Sequence, residues 1–421
     1  MKAKAVRLHG KNDLRLDQID LPEMKNDEIL AKVISDSLCM SSYKAASQGE
    51  NHKRVPNNVA EKPIIIGHEF CGEIVQVGEK WQNKFRVGQK FTIQTALNHP
   101  SDPYAAPGYS FQYIGGDSTY VLIPSMVMEL DCLLDYQGDA YFYGSIAEPM
   151  SCIIGAFHAA YHTKTGVYEH EMGIKKGGKC AILAGAGPMG LGAVDYALHC
   201  DRKPSLLVVT DIDNKRLERA AKILTVEEAA KNGVKLMYVN TSEHENPEEY
   251  LKSLTDNIGF DDVFVYAPVK SVVEQGDKIL AFDGCLNFFA GPTDTKFSAE
   301  FNFYNVHYSA THIVGTSGGN TDDMKEALSM MEKGLLNPAA MVTHIGGLDS
   351  VSETTLNLPK IPGGKKLIYN QISMPLTAID DIENIAVNNV FMEELAQIIA
   401  ENNGLWSLKA EKWLLKNAKS I

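Results

Sequence analysis

No stretch of the sequence holds eighteen uninterrupted apolar residues, and its start, Met1-Lys2-Ala3-Lys4-Ala5-Val6-Arg7-Leu8, has no long apolar core of the kind a secretory signal needs. Neither a membrane-spanning helix nor export is expected, and a cytoplasmic protein is. Cysteine is sparse. The seven residues at 39, 71, 132, 152, 180, 200 and 285 are odd in number and widely spread, which argues against a disulfide framework and for reduced, buried thiols. Positive charge is in deficit too: 40 Lys and Arg against 53 Asp and Glu give a net charge of −13. A nucleic-acid partner needs clustered cations and is not expected. A small anionic substrate held by a few local cations remains compatible with that balance. Internal repeats and low-complexity stretches are absent.

What is present is enough apolar material for a large core, 44% hydrophobic and 22% charged over 421 residues, which implies two domains. The first 125 residues alternate short β-like runs (Ala3 to Leu8, Glu28 to Ser35, Ile64 to Val77, Phe91 to Leu97, Thr119 to Pro124) with Gly, Pro and Asn. From Cys180 the texture becomes strand then helix, repeated through Leu206–Thr210, Lys235–Val239, Asp262–Tyr266, Cys285–Ala290 and Thr311–Gly315. That alternation predicts an α/β doubly wound parallel sheet. A helix is predicted from Asp322 to Lys333 and strands from Met341 to Ile345 and from Lys366 to Ile372, so the parallel sheet should be inserted into a β-rich domain built from both ends. The expected division is 1–158, 159–316 and 317–421, the last part ending in a helical tail with Phe391, Leu395, Ile398, Ile399, Leu408, Trp413 and Leu415 on its apolar faces.

The run Ala181 to Ala184 enters Gly185-Ala186-Gly187-Pro188-Met189-Gly190 and then an apolar helix, Leu191 to His199. The first Gly permits a tight turn, the second lets backbone approach a pyrophosphate and the third allows close helix packing. The helix N-terminus then presents unpaired N–H groups to the phosphates. Asp211 follows the next apolar strand, where a carboxylate accepts from both ribose hydroxyls and repels a 2′-phosphate, favouring NAD. A turn residue is the plainer reading of Asp211, and Lys215 and Arg216 nearby leave NADP open.

Gly67-His68-Glu69 precedes a β-like run, Cys39 stands upstream and Glu148 downstream, in Ala147-Glu148-Pro149. Thiolate, imidazole and carboxylate are the donors of a catalytic zinc site, although each residue alone reads as a buried structural group. The segments GHEFCGEIVQVG, CMSS, AEPMSC and AILAGAGPMGLG, in this order, resemble the zinc-containing medium-chain dehydrogenase/reductase family, over residues 1 to 372.

The resemblance implies a GroES-like β-rich catalytic domain and a Rossmann domain, with zinc holding the substrate oxygen while hydride passes between a carbinol carbon and the nicotinamide. Cys39 and His68 match the family's zinc ligands, and Glu69 and Glu148 match two acidic positions that serve as ligand or support in different branches. Ser41 matches the hydroxyl that relays the alcohol proton, a capping hydroxyl being the alternative. Lys44 stands where many relatives place the relay histidine; as a base it would need burial or a cationic neighbour. The cysteines of a structural zinc are missing between Val87 and Val121, so one zinc is expected.

Glu148, where alcohol dehydrogenases have a second cysteine ligand, is similar to the polyol and glucose dehydrogenase branches, which implies a polyol or ketose substrate. In the basic run His52-Lys53-Arg54, Lys53 with Arg54 can clamp a phosphate, a solvated turn being the plainer reading. The length, the extra residues from His162 to Lys176 and the tail are similar to the sorbose 1-phosphate reductase branch, which acts on a ketohexose phosphate and a hexitol phosphate. A homo-oligomer, dimer or tetramer, is expected. The alternatives are a zinc-free quinone or enoyl reductase of the same superfamily and a non-catalytic NAD-binding protein.

Overall fold

The computed structural model describes residues 1–387 and 389–421. They form two compact units, one of Met1–Glu148, Leu328–Glu332 and Val342–Ile421, the other of Pro149–Ala327 and Lys333–Met341. The expected boundaries after 158 and after 316 both fall inside the second unit. The helix Tyr141–Ala159 is continuous through Glu148 and Pro149, and the helix Thr321–Glu332 is continuous through Ala327, so neither division coincides with a break in secondary structure.

The first unit is organised around the strand Ile29–Leu38. Its first half pairs with Tyr120–Ile123, its last residues pair with Lys365–Tyr369, and Phe70–Val77 runs beside it almost throughout. Lys90–Ile93 and Leu133–Asp135 extend the sheet on one side, Val342–Gly347 and Thr377–Ala378 on the other. Inward residues Ile29, Val33, Phe70 and Phe91 are fully buried, each side chain contributing about 1.5–3 kcal/mol by leaving water. The strand's end departs from simple alternation: Ser35, Asp36 and Ser37 are all buried, Asp36 Oδ1 accepting from the Glu69 N–H and the Ser37 hydroxyl donating to the Glu69 carboxylate, while the Ser35 hydroxyl meets that of Ser145. A smaller sheet orders Asp13–Asp20, Lys2–Gly10 and Ile64–Ile65. The predicted run from Ile64 to Val77 is therefore two strands, separated by the turn that carries His68 and Glu69.

The tail belongs to this unit as the helices Ile382–Ala386, Val390–Glu401 and Leu408–Asn417. Leu395 and Leu414 are fully buried, so Leu414 rather than the half-buried Leu415 faces inward from the last helix.

The second unit is a six-stranded parallel sheet in the order Lys235–Asn240, Leu206–Asp211, Lys179–Leu183, Phe260–Val265, Leu280–Phe288, His312–Val314. By chain order this is 3-2-1-4-5-6, the doubly wound arrangement of dinucleotide-binding sheets. The extra residues from His162 form an antiparallel hairpin, Tyr161–Lys164 with Val167–Met172. It is anchored where His162 Nε2 meets Asp262 Oδ1 at 3.1 Å and the Thr163 hydroxyl donates to Asp283 at 2.6 Å. Among the described residues no helix is long and apolar enough to cross a membrane.

Candidate functional site

The strand Ile29–Leu38 delivers Cys39 to the start of the helix Met40–Gln48, where its extended backbone makes it the cap residue. The Ser41 N–H and hydroxyl both reach the Cys39 sulfur; burial raises its pKa, and nearby Lys365 opposes that rise. Gly67 then makes the sharp entry to His68 and Glu69. Its φ is +88°, and a Cβ there would lie 2.2 Å from Asp36 Oδ2 and 2.5 Å from the Asp117 N, so only glycine fits. Ser42 Oγ lies 3.2 Å from His68 Nδ1, and burial lowers the ring's pKa, keeping it a neutral imidazole.

These elements converge. Donor atoms of Cys39, His68 and Glu69 all lie within 4.8 Å of one another, a half-buried thiol beside a buried imidazole and a buried carboxylate, and this donor set fits zinc. Glu69 is heavily engaged. Lys365 contacts both of its carboxylate oxygens, at 2.6 Å from Oε2, and the Ser37 hydroxyl donates to the same oxygen. Burial alone would lower the Lys365 pKa, but Glu69 and Cys39 raise it instead. Glu148 is buried against the same groups. Burial pushes its carboxyl up to about 7, with His68 opposing and Glu69 and Cys39 reinforcing the rise.

Two of these participants escape sequence reasoning. Lys365 and Lys366 together open the strand Lys365–Tyr369 and are both buried, and nothing local distinguishes the one that pairs with Glu69 from its neighbour. Tyr109 is the other. Its hydroxyl lies 3.1 Å from His68 Nε2, with the rings 4.7 Å apart. It reaches that place because Gly108, at φ +79°, lies against the Gly67 carbonyl, where a Cβ would come within 1.9 Å. A tyrosine after Pro-Gly is the only local signal, and it does not name its partner.

Tyr109 also joins the basic run to the cluster. His52 stacks on it at 5.9 Å and 11°, and Arg54 Cζ lies 5.4 Å from its ring centre. Lys53 Nζ lies 5.3 Å from the Tyr104 ring centre, and the Ser110 hydroxyl donates to the Arg54 carbonyl at 2.9 Å. Burial, then Arg54, Lys53 and Lys44 in turn, pull the His52 pKa down to about 4. Lys44 is therefore grouped with the other cations around a neutral His52.

In the second unit the fingerprint behaves as its glycines require. A Cβ on Gly190 would lie 2.1 Å from the Gly185 carbonyl, one on Gly185 would lie 2.6 Å from the Ile182 side chain, and one on Gly187 would meet nothing within 4 Å. Gly187 caps the helix Pro188–His199, with Pro188 at its first position and Met189 half-buried beside it. Asp211 ends its strand buried, Oδ1 accepting from the N–H of Ile212 at 2.8 Å and of Asp213 at 3.2 Å. Arg216 is exposed, 3.9 Å from Asp213.

The zinc-binding dehydrogenase family model matches residues 188–333, and the alcohol dehydrogenase GroES-like domain matches residues 25–131. The chain is 54% identical over 412 residues to mannitol-1-phosphate 5-dehydrogenase of Aliivibrio fischeri, covering 98% of this chain and 97% of that one. It is 51% identical over 417 residues to L-sorbose 1-phosphate reductase of Klebsiella pneumoniae, covering 99% and 98%. Among solved structures, 2R,3R-butanediol dehydrogenase from Bacillus subtilis shares the fold with a TM-score of 0.69 at 21% identity, covering 87% of this chain and 99% of that one.

Proposed function

The chain belongs to the zinc-binding dehydrogenases with an alcohol dehydrogenase GroES-like domain and is an oxidoreductase; on that premise we propose that it interconverts a hexitol phosphate and a ketohexose phosphate with NAD(H). The observation that carries the substrate class is the stack from Arg54 through Tyr109 to His68. It supports a phosphate held by Lys53 and Arg54, neither of which has a carboxylate partner among the described residues, close to a carbinol carbon at the metal cluster. Both relatives above are named for phosphorylated substrates, mannitol 1-phosphate and L-sorbose 1-phosphate.

Cys39, His68 and Glu148 are the residues we assign to zinc, with Glu69 held back by Lys365 and Ser37. One thiolate and one carboxylate balance the ion, and the Lys365–Glu69 pair is neutral beside it. Zinc held by Cys39, His68 and Glu148 would supply a Lewis acid for the substrate oxygen, and a nicotinamide cofactor held at the turn Gly185 to Gly190 would supply the hydride acceptor or donor. Ser41, in reach of both Cys39 and Tyr109, is positioned to take the alcohol proton. Lys44 joins the phosphate clamp in this reading, since its charge bears on His52.

The buried carboxylate of Asp211 supports NAD over NADP. The exposed edge strand His312–Val314, together with exposed Phe303, Tyr304 and Tyr308 on the helix before it, supports a homo-oligomer. Seven free thiols suit the cytoplasm. The substrate class is tested by NADH oxidation over a panel of ketoses and ketose phosphates: preferential turnover of the phosphates is expected, and equal turnover of free and phosphorylated sugars contradicts the assignment.

A further inference from the structure

The first N–H groups of any helix lack partners within it and are ordinarily satisfied by a side chain a residue or two upstream. The helix Tyr141–Ala159 is satisfied from 270 residues downstream. Glu411, on the last helix of the tail, accepts from the Tyr141 N–H at 2.7 Å through Oε1 and from the Phe142 N–H at 2.9 Å through Oε2. Its side chain is 1% exposed. Oε2 also accepts from the Tyr369 hydroxyl at 2.9 Å, and that hydroxyl in turn accepts from Trp406 Nε1 at 2.6 Å.

The two elements gripped this way are the ones that carry Glu148 and Lys365 to the metal cluster. Glu148 lies two turns into the helix that Glu411 caps. Lys365, the partner of Glu69, opens the strand that Tyr369 closes. The helix is already fitted closely against the sheet: a Cβ on Gly144 would lie 2.4 Å from Cys71 Sγ, and the Thr92 hydroxyl donates to the Gly144 carbonyl at 2.7 Å. A shift at its first turn is thus transmitted along it, because close packing admits discrete arrangements rather than gradual ones. The tail lies outside both family matches, which end at residues 131 and 333.

We infer that the C-terminal tail is a clasp on the metal cluster and that Glu411 is a positioning residue for it, fixing the helix of Glu148 and the strand of Lys365 to one point. The inference rests on the assignment of Glu148 and its neighbours to zinc. Glu411 does not touch the reacting atoms; its carboxylate sets where Glu148 stands, as outer-shell groups set ligand orientation at metal sites.

The test compares the full-length wild type with Glu411→Gln, Tyr369→Phe and Leu414→Ala. Leu414 is fully buried in the same tail helix and takes no part in the cap, so its truncation loosens packing alone. Zinc release is followed with a chromogenic chelator, alongside melting temperature, kcat, the KM for NADH and amide exchange at Tyr141 and Phe142. Glu411→Gln should release zinc roughly tenfold faster, in the range seen for outer-shell changes, with faster exchange at both amides, a lower kcat and an unchanged KM for NADH. Tyr369→Phe should move the same way by less, and Leu414→Ala should keep the wild-type release rate despite a lower melting temperature. Wild-type zinc retention by Glu411→Gln overturns the inference, and so does equal loss in Glu411→Gln and Leu414→Ala at matched melting temperature. A wild type that binds no zinc removes the metal assignment itself and the clasp with it.

Discussion

Lys365 Nζ contacts both carboxylate oxygens of Glu69 although 296 residues separate them, and the two side chains are only 6% and 1% exposed. The pair joins the turn at Gly67 to the strand Lys365–Tyr369, which runs antiparallel to the end of Ile29–Leu38. Burial alone would lower the Lys365 pKa, and the charge and hydrogen bond of Glu69 raise it instead.

Removing one partner leaves the other as an uncompensated buried charge. Lys365→Met should therefore lower the unfolding free energy by about 3–5 kcal/mol, measured by chemical denaturation. The double variant with Glu69→Gln should recover most of that loss. A Lys365→Met protein as stable as the wild type contradicts the pairing.

The basic run predicts a substrate-selective defect. A hydrogen bond to a charged group contributes about 1.5–3 kcal/mol, so Lys53→Ala and Arg54→Ala should each reduce kcat/KM for a ketose phosphate by roughly ten- to hundredfold. Steady-state rates with the matching unphosphorylated ketose should be nearly unchanged. Equal losses on both substrates would sink the phosphate clamp.

Asp211 predicts cofactor choice. With its carboxylate replaced in Asp211→Ala, the KM for NADH should rise by roughly tenfold, as expected for loss of a charged hydrogen bond, while that for NADPH holds or falls. Steady-state rates over a range of each reduced cofactor measure this directly. An unchanged preference would return Asp211 to the status of a turn residue.

The hairpin that begins at Tyr161 predicts a pH dependence of stability. Burial lowers the His162 pKa, but the hydrogen bond and charge of Asp262, with the charge of Asp283, more than offset it and leave it raised. A raised histidine binds its proton more tightly in the folded state. Its contribution is complete below the unfolded value near 6.5 and is lost as pH rises through the folded value. Between about pH 6 and about pH 8, the wild type should lose more melting temperature than His162→Asn. Parallel pH profiles would show that the imidazole carries no such linkage.

Much of this was legible in the sequence because it is local. The fingerprint from Gly185 to Gly190 places strand, turn and helix close together in the chain, and each strand of the parallel sheet overlaps an expected run, although Leu280–Phe288 begins ahead of the expected Cys285. His68 and Glu69 are legible for the same reason, since Gly67 and the strand after Phe70 frame them. The illegible parts are long-range. Lys365 owes its burial to Glu69, Tyr109 owes its place to a glycine that lies on Gly67, and Glu411 satisfies amides 269 and 270 residues away. In each case the residue type is ordinary for its segment, and the partner that makes it matter lies in a different element. The grouping of Lys44 with His52, Lys53 and Arg54 is of the same kind: one helical turn after Cys39 places it, and only the fold shows which charges it joins.

The most direct test measures metal content and turnover on one sample. The wild type should carry one zinc per chain and oxidise NADH with a ketohexose phosphate. Chelation should abolish both, zinc should restore both, and Cys39→Ala and His68→Ala should lack both while still binding NADH. Full turnover in the chelated protein, or undiminished turnover in Cys39→Ala or His68→Ala, would contradict the account.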